Sequence, residues 1–107
     1  MGDDKMTNKF LSVNKDFFNL GLNPIEIFIL AQIAEFQKNT NDCFISNDKL
    51  AEIFGVSTST VKRAIEKLEK QNFIIRNTKN IKGGKERHMS VNFQVIEDKL
   101  KVQNKPC

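Results

Sequence analysis

The stretch from Ser46 to Asn72 leaves the chain little freedom: it writes two helices separated by three residues. Ser46 is a good N-cap, and Asn47–Phe54 follows it as a short helix. Gly55 suits the left-handed position just past a helix end. Ser57 then caps a longer helix, from Thr58 to about Gln71, and Asn72 can end that one in the left-handed region.

The flanking segments complete the order of elements. Lys9–Asn19 mixes Phe10, Leu11, Val13, Phe17 and Phe18 with polar residues and reads as a short lead-in that packs on the core. Asn23-Pro24 opens a helix of about Pro24 to Lys38, because Asn caps well and Pro is tolerated at the first helical position. Asn39–Asp42 reads as a turn and Cys43-Phe44-Ile45 as a short strand. After Asn72, Phe73–Thr78 has the β-branched and aromatic content of a strand. Asn80–Lys85, with Gly83-Gly84, is the expected hairpin tip. Met89–Val95 alternates apolar and polar residues as a half-buried return strand should. Ile96–Cys107 is expected to be a short tail that starts as a helix and then frays.

The segment Asn47–Ile65 resembles a helix-turn-helix. Leu50, Phe54, Val56, Val61 and Ala64 stand where that motif is apolar, Ala51 where a small residue lets the helices cross closely, and Gly55 at the turn. The motif holds two short helices at a fixed angle so that the second projects from the surface. The run Val56–Ile65 is similar to the start of the recognition helix in bacterial winged-helix regulators and in plasmid or phage replication proteins. With the hairpin, the resemblance covers residues 24–95. It implies an α+β, mainly α, winged helix-turn-helix of three helices plus a β-hairpin wing, and double-stranded DNA as the partner.

Charge agrees with a polyanionic partner. Residues 1–56 carry five lysines against eight acidic residues, a net −3, whereas residues 57–107 carry twelve basic residues against five acidic, a net +7. On the third helix the candidates are Ser57, Thr58, Ser59, Thr60, Lys62, Arg63 and Lys67, whose hydroxyls, charges and helix N-terminus can meet phosphates or base edges. In the wing they are Arg76, Asn77, Lys79, Asn80, Lys82, Gly83, Gly84, Lys85, Arg87 and His88. Residues 76–88 hold five basic residues against Glu86 alone, +4, while residues 57–71 reach only +2. The wing is therefore expected to match the helix in binding. A solvated hairpin and a merely capped helix are the plain alternatives for both groups.

The first helix carries a second message. Ile27, Leu30, Ile33 and Ala34 can face the core, while Ile25, Phe28, Ile29 and Phe36 lie largely on another side. Surface helices normally show one apolar stripe. Either the lead-in covers the second stripe, with Phe10, Phe17 and Phe18 available for it, or a second subunit does. A homodimer through Ile25, Phe28, Ile29 and Phe36 is the expectation.

Other function classes find little support. There is no P-loop, nucleophile elbow or zinc-hydrolase motif, so the chain is expected not to be an enzyme. Cys43 and Cys107 have no metal-ligand spacing and His88 is the single histidine, so no metal and no cofactor is expected. Two free thiols suit a reducing cytosol. No apolar run approaches the roughly eighteen residues of a membrane span, and no secretory signal is visible, so a cytoplasmic location without membrane or small-molecule partners is expected. Residues 1–5 read as a tag remnant, 6–95 as the domain and 96–107 as its tail. Asn, Lys, Ile and Phe richness points to a low-GC bacterium. Size and a bare winged domain resemble the clostridial plasmid relaxosome accessory proteins, which implies a dimer on repeated plasmid sites. Replication or maintenance, a small transcriptional repressor, and a winged-helix protein-interaction module stand beside that reading.

Overall fold

The structure is a computed structural model that describes residues 13–40 and 45–104. Residues 1–5, expected to be a tag remnant, and Phe10, Leu11, Asn41, Asp42, Cys43, Phe44 and Cys107 lie outside the described residues. Of the expected first strand only Ile45 is described, and it belongs to no regular element.

The chain enters through a 3₁₀ turn, Lys15–Asn19, capped by Asn14, whose side-chain oxygen accepts from the Asp16 N–H at 2.9 Å. Phe17 and Leu20 leave this turn into the core. Helix α1, Pro24–Thr40, begins with a reciprocal cap. Asn23 Oδ1 accepts from the Glu26 N–H and Glu26 Oε1 accepts from the Asn23 N–H, both at 2.9 Å. The helix continues through Asn39 and Thr40, where the sequence reads as a turn.

Helix α1 is the centre of the core, not one of its walls. Ile27, Ile29, Leu30, Ala31 and Ile33 are all buried, and so are Glu26 and Gln32. This corrects the two-stripe reading at one position: Ile29 is 0% exposed inside the subunit, so a partner cannot reach it. Ile25 and Phe36 are half-buried against the same core, and Phe28 stacks on Phe54 of the next helix with ring centroids 6.1 Å apart. The lead-in supplies Phe17 to this cover, while Phe18 points outward.

Helix α2, Asn47–Phe54, and helix α3, Thr58–Lys70, form the expected pair. Gly55 has φ 67°, and the Val56 N–H donates to the Ala51 carbonyl at 3.0 Å, closing α2 in the left-handed geometry that glycine adopts without strain. Val61, Ala64, Ile65 and Leu68 make the buried stripe of α3, at the 3–4 residue spacing of one helix face. Asn72, with φ 65°, ends α3. The Asn72 N–H donates to the Glu69 carbonyl and the Phe73 N–H to the Leu68 carbonyl, both at 2.9 Å, and Leu68 and Phe73 are both buried where this motif places an apolar contact.

Strands β1, Ile74–Ile81, and β2, Gly84–Val91, form an antiparallel hairpin in the register Ile74↔Val91 to Ile81↔Gly84. Only Lys82 and Gly83 lie between them, so the tip is shorter than the expected Asn80–Lys85. Ile74, Met89 and Val91 anchor the base in the core, while the outer part is solvated. The return strand stops at Val91, four residues before the expected end. Asn92 Oδ1 accepts from the Val95 N–H at 3.3 Å and starts helix α4, Phe93–Asn104. Alternation and helical spacing overlap here, and buried Ile96 with half-buried Val95 and Leu100 shows which one prevailed. Lys99 Nζ stands 5.3 Å from the Phe73 ring centroid, a cation–π contact. A two-stranded hairpin after a helix-turn-helix is the winged helix arrangement. No helix among the described residues is long and apolar enough to cross a membrane.

Candidate nucleic-acid interface

The first turn of α3 divides its hydroxyls between structure and surface. Ser57 Oγ accepts from the Thr60 N–H at 3.1 Å and lies 2.9 Å from Thr60 Oγ1. Thr58 Oγ1 donates to Asp48 Oδ1 of α2 at 3.3 Å, which joins the two helices of the pair. Ser59, Lys62 and Arg63 are exposed, and none of the three side chains has a hydrogen bond or ion pair among the described residues. Lys67 is different. Its Nζ stands 3.2 Å from Glu26 Oε1, whose side chain is 5% exposed at the start of α1. It clamps α3 to α1 and is already engaged, unlike Lys62 and Arg63.

The wing's cations divide in the same way. Arg76 pairs with Glu69 of α3 at 2.9 Å. Arg87 Nη2 donates to the Ile45 carbonyl at 2.7 Å, across 42 residues of sequence. Both guanidinium groups tie the hairpin to the body. His88 is mostly buried and its Nε2 lies 2.9 Å from Glu86 Oε1 of the same strand. Arg87 and His88 are therefore half-buried, while Arg76 stays exposed beside its Glu69 partner. Asn77, Lys79, Asn80, Lys82, Gly83, Gly84 and Lys85 are exposed. Lys82 and Lys85 have no ion-pair partner among the described residues.

The Arg87 tether brings the two surfaces together. A cleft of about 550 Å³ is lined by Ser46, Asn47 and Asp48 at the start of α2, Thr58 at the start of α3, and Lys85, Glu86 and Arg87 of β2. The N-terminus of α3 and the outer wing are thus two rims of one groove. Among the described residues no group of His, Cys, Asp and Glu could hold a metal ion.

A profile of the helix-turn-helix domain matches residues 20–74, just over half of the chain. The protein belongs to the helix-turn-helix domain family. The solved structures show the same fold at low identity. A possible transcriptional regulator from Methanosarcina mazei is 20% identical with a TM-score of 0.60, over 83% of this chain and 78% of the other. The YusO protein from Bacillus subtilis is 21% identical with a TM-score of 0.54, over 80% of this chain; the match spans 58% of YusO. A structure described as the N-terminal domain of a DNA binding protein is 17% identical with a TM-score of 0.56, over 94% of this chain and 90% of the other. A comparison with curated protein sequences gave no match.

Two features of this surface escape a reading of the sequence. The Glu26 clamp has a local signal, the Asn-x-x-Glu pattern of a capping box at Asn23–Glu26, although its partner Lys67 is remote. Ile81, counted within the hairpin tip, is the last residue of β1 and exposed.

Proposed function

We propose that this helix-turn-helix protein binds double-stranded DNA in a sequence-specific way, with α3 in the major groove and the wing beside it, and that it is not an enzyme. The observation that carries the proposal is a pair of exposed basic elements: Lys62 and Arg63 on α3 and Lys82 and Lys85 on the wing are exposed with no ion pair among the described residues, and Thr58 and Lys85 line one cleft between helix and wing. Basic side chains placed on two elements match the two phosphate backbones that border a groove. The descriptions of two similar folds, a possible transcriptional regulator and a domain of a DNA binding protein, support the reading.

The finer reading is a cytoplasmic, plasmid- or phage-borne protein acting in transfer, replication or maintenance; a small transcriptional repressor is the second reading, favoured by the description of the Methanosarcina structure. A docking module for another protein would not need four exposed, uncommitted cations on α3 and the wing. Fluorescence anisotropy with random duplex tests the central claim: log K should fall steeply with log salt, and an affinity flat between low and moderate salt overturns it. Selection from a random pool then gives the site, and gel shifts on origin-of-transfer DNA and on promoter DNA separate the two processes.

Dimerisation belongs to the same proposal. A second copy on the α1 face would meet Phe28, which is 39% exposed, and the half-buried Ile25 and Phe36, but not Ile29. A dimer favours a repeated or palindromic target. Sedimentation at micromolar concentration showing only a 12.3 kDa species would count against it.

A further inference from the structure

The end of the wing combines features that the fold itself does not use. Ile81 is the last residue of β1 and is 47% exposed. Its register partner is Gly84, so no side chain stands across from it. On its own strand the nearest buried residue is Ile74, seven positions back, roughly 24 Å at strand spacing. On the partner strand it is Met89, five positions from Gly84, roughly 17 Å away. The core cannot reach this isoleucine. The glycines tell the same story: Gly83 and Gly84 have φ of 100° and 144°, and a Cβ on either would meet no atom within 4 Å. Their lack of a side chain serves the backbone turn and leaves a thin tip, with clearance that nothing in the protein fills.

The same tip carries exposed Lys79, Lys82 and Lys85: Lys79 lies two positions back on the face of Ile81, across from Glu86, Lys82 follows Ile81 directly, and Lys85 pairs with Asn80 on the other face. An apolar group at the end of a tip with three lysines against one glutamate fits a partner with a polyanionic rim and an apolar interior. A duplex minor groove has that form, with phosphates on both edges and stacked bases between, and at about 6 Å wide it admits only a slim element. Proteins that enter it commonly insert an apolar wedge at a base step, which unstacks the step and kinks the duplex. Pyrimidine–purine steps open most easily, so such a wedge selects sequence without a base-specific hydrogen bond.

We infer that Ile81 is a minor-groove wedge, carried by the wing to a flexible base step next to the major groove that α3 occupies. The inference rests on the DNA-binding reading and adds to it a specificity-determining residue and a bend. Lys82 and Lys85 hold the phosphates on either side, and the Gly83-Gly84 backbone lets the tip sit deep enough for the isoleucine to reach the bases. The preferred step is pyrimidine–purine, opened on its minor-groove side so that the duplex bends toward the major groove.

The test uses a duplex of about 30 base pairs recovered from a random-pool selection, with 2-aminopurine scanned through its pyrimidine–purine steps and a donor–acceptor pair on its ends. Wild type should brighten 2-aminopurine at one step and shorten the end-to-end distance. Ile81→Ser should lose both signals and about tenfold in affinity for this duplex, while binding to random duplex changes less than about twofold. Ile81→Leu should restore all three. An unchanged melting curve for Ile81→Ser keeps folding out of the comparison. If Ile81→Ser unstacks, bends and binds like wild type, the wedge is overturned and the DNA-binding reading stands. If wild type binds neither the pool nor random duplex, that reading falls and the wedge with it.

Discussion

By charge alone the wing, at +4, stands ahead of helix α3, at +2, yet the structure makes them unlike in kind. Helix α3 is held along its whole length. Four of its residues are buried, Thr58 is bonded to α2, Lys67 is clamped to α1, and a capped end leads into buried Phe73. The wing is held at its base by Ile74, Met89 and Val91 in the core and by Arg76, and again midway along by the Arg87 tether, with its outer half exposed. Two of the wing's five cations are thus already engaged by the body, which erodes the advantage that simple counting gives it. The difference teaches that net charge ranks surfaces poorly until each cation's partner is known. A rigid helix suits base readout, which needs fixed geometry, whereas a slender finger suits a deformable groove.

The largest expected effect separates the two regions by stability. Leu68→Ala empties a fully buried site in α3 and should cost about 2–5 kcal/mol by denaturant unfolding. Asn80→Ala, on the exposed outer wing, should stay within about 0.5 kcal/mol of wild type. Similar losses from both would mean the wing is as deeply held as the helix, and the contrast would fail.

Next come the uncommitted cations. The double variants Lys62→Ala/Arg63→Ala and Lys82→Ala/Lys85→Ala should both fold normally, and anisotropy titrations should tell them apart. The helix variant should lose discrimination between the selected site and random duplex, by about 1–3 kcal/mol if one side chain makes a good base contact. The wing variant should weaken all duplexes alike and make the salt slope shallower by about 0.9 for each phosphate it no longer neutralises. A wing variant that binds as wild type at every salt would leave α3 as the sole reader.

A third effect concerns the tether. Arg87→Met removes the donor to the Ile45 carbonyl, a part-buried bond, and should cost about 1–3 kcal/mol in stability. Binding should weaken at the selected site more than at random duplex, because the wing loses its angle but not its tip lysines. Melting curves and paired titrations check both, and equal weakening on all sequences would mark Arg87 as a phosphate contact instead.

What can be seen in the sequence is local. Ser46, Gly55, Ser57 and Asn72 each act within a few residues, and α2 ends where they say it does. The return strand misleads where two periodicities overlap, since Val91, Phe93 and Val95 alternate while Asn92 can equally cap a helix. The candidate interface is half legible. The exposed side of α3 follows from helical spacing, but Arg87 finds its acceptor at Ile45 and Lys67 finds Glu26 on another helix, partners that no local pattern reveals. Ile29 misleads for the same reason, because periodicity says which residues share a face and not which neighbour covers it.

The smallest expected effect cuts within α3 itself. Ser57 and Ser59 are both exposed serines in the first turn, but only Ser57 is used by the fold, accepting from the Thr60 N–H. Ser57→Ala leaves that N–H without its cap and should cost about 1 kcal/mol, read as a lower unfolding midpoint with an unchanged denaturant slope. Ser59→Ala should move stability by less than about 0.5 kcal/mol, since its hydroxyl has no partner among the described residues. Its effect should appear only on DNA, as weaker binding to the selected site. If instead Ser59→Ala binds as wild type and Ser57→Ala loses affinity in proportion to stability, the first turn of α3 is only a capped helix end. Base readout would then have to come from Lys62 and Arg63, one turn further along.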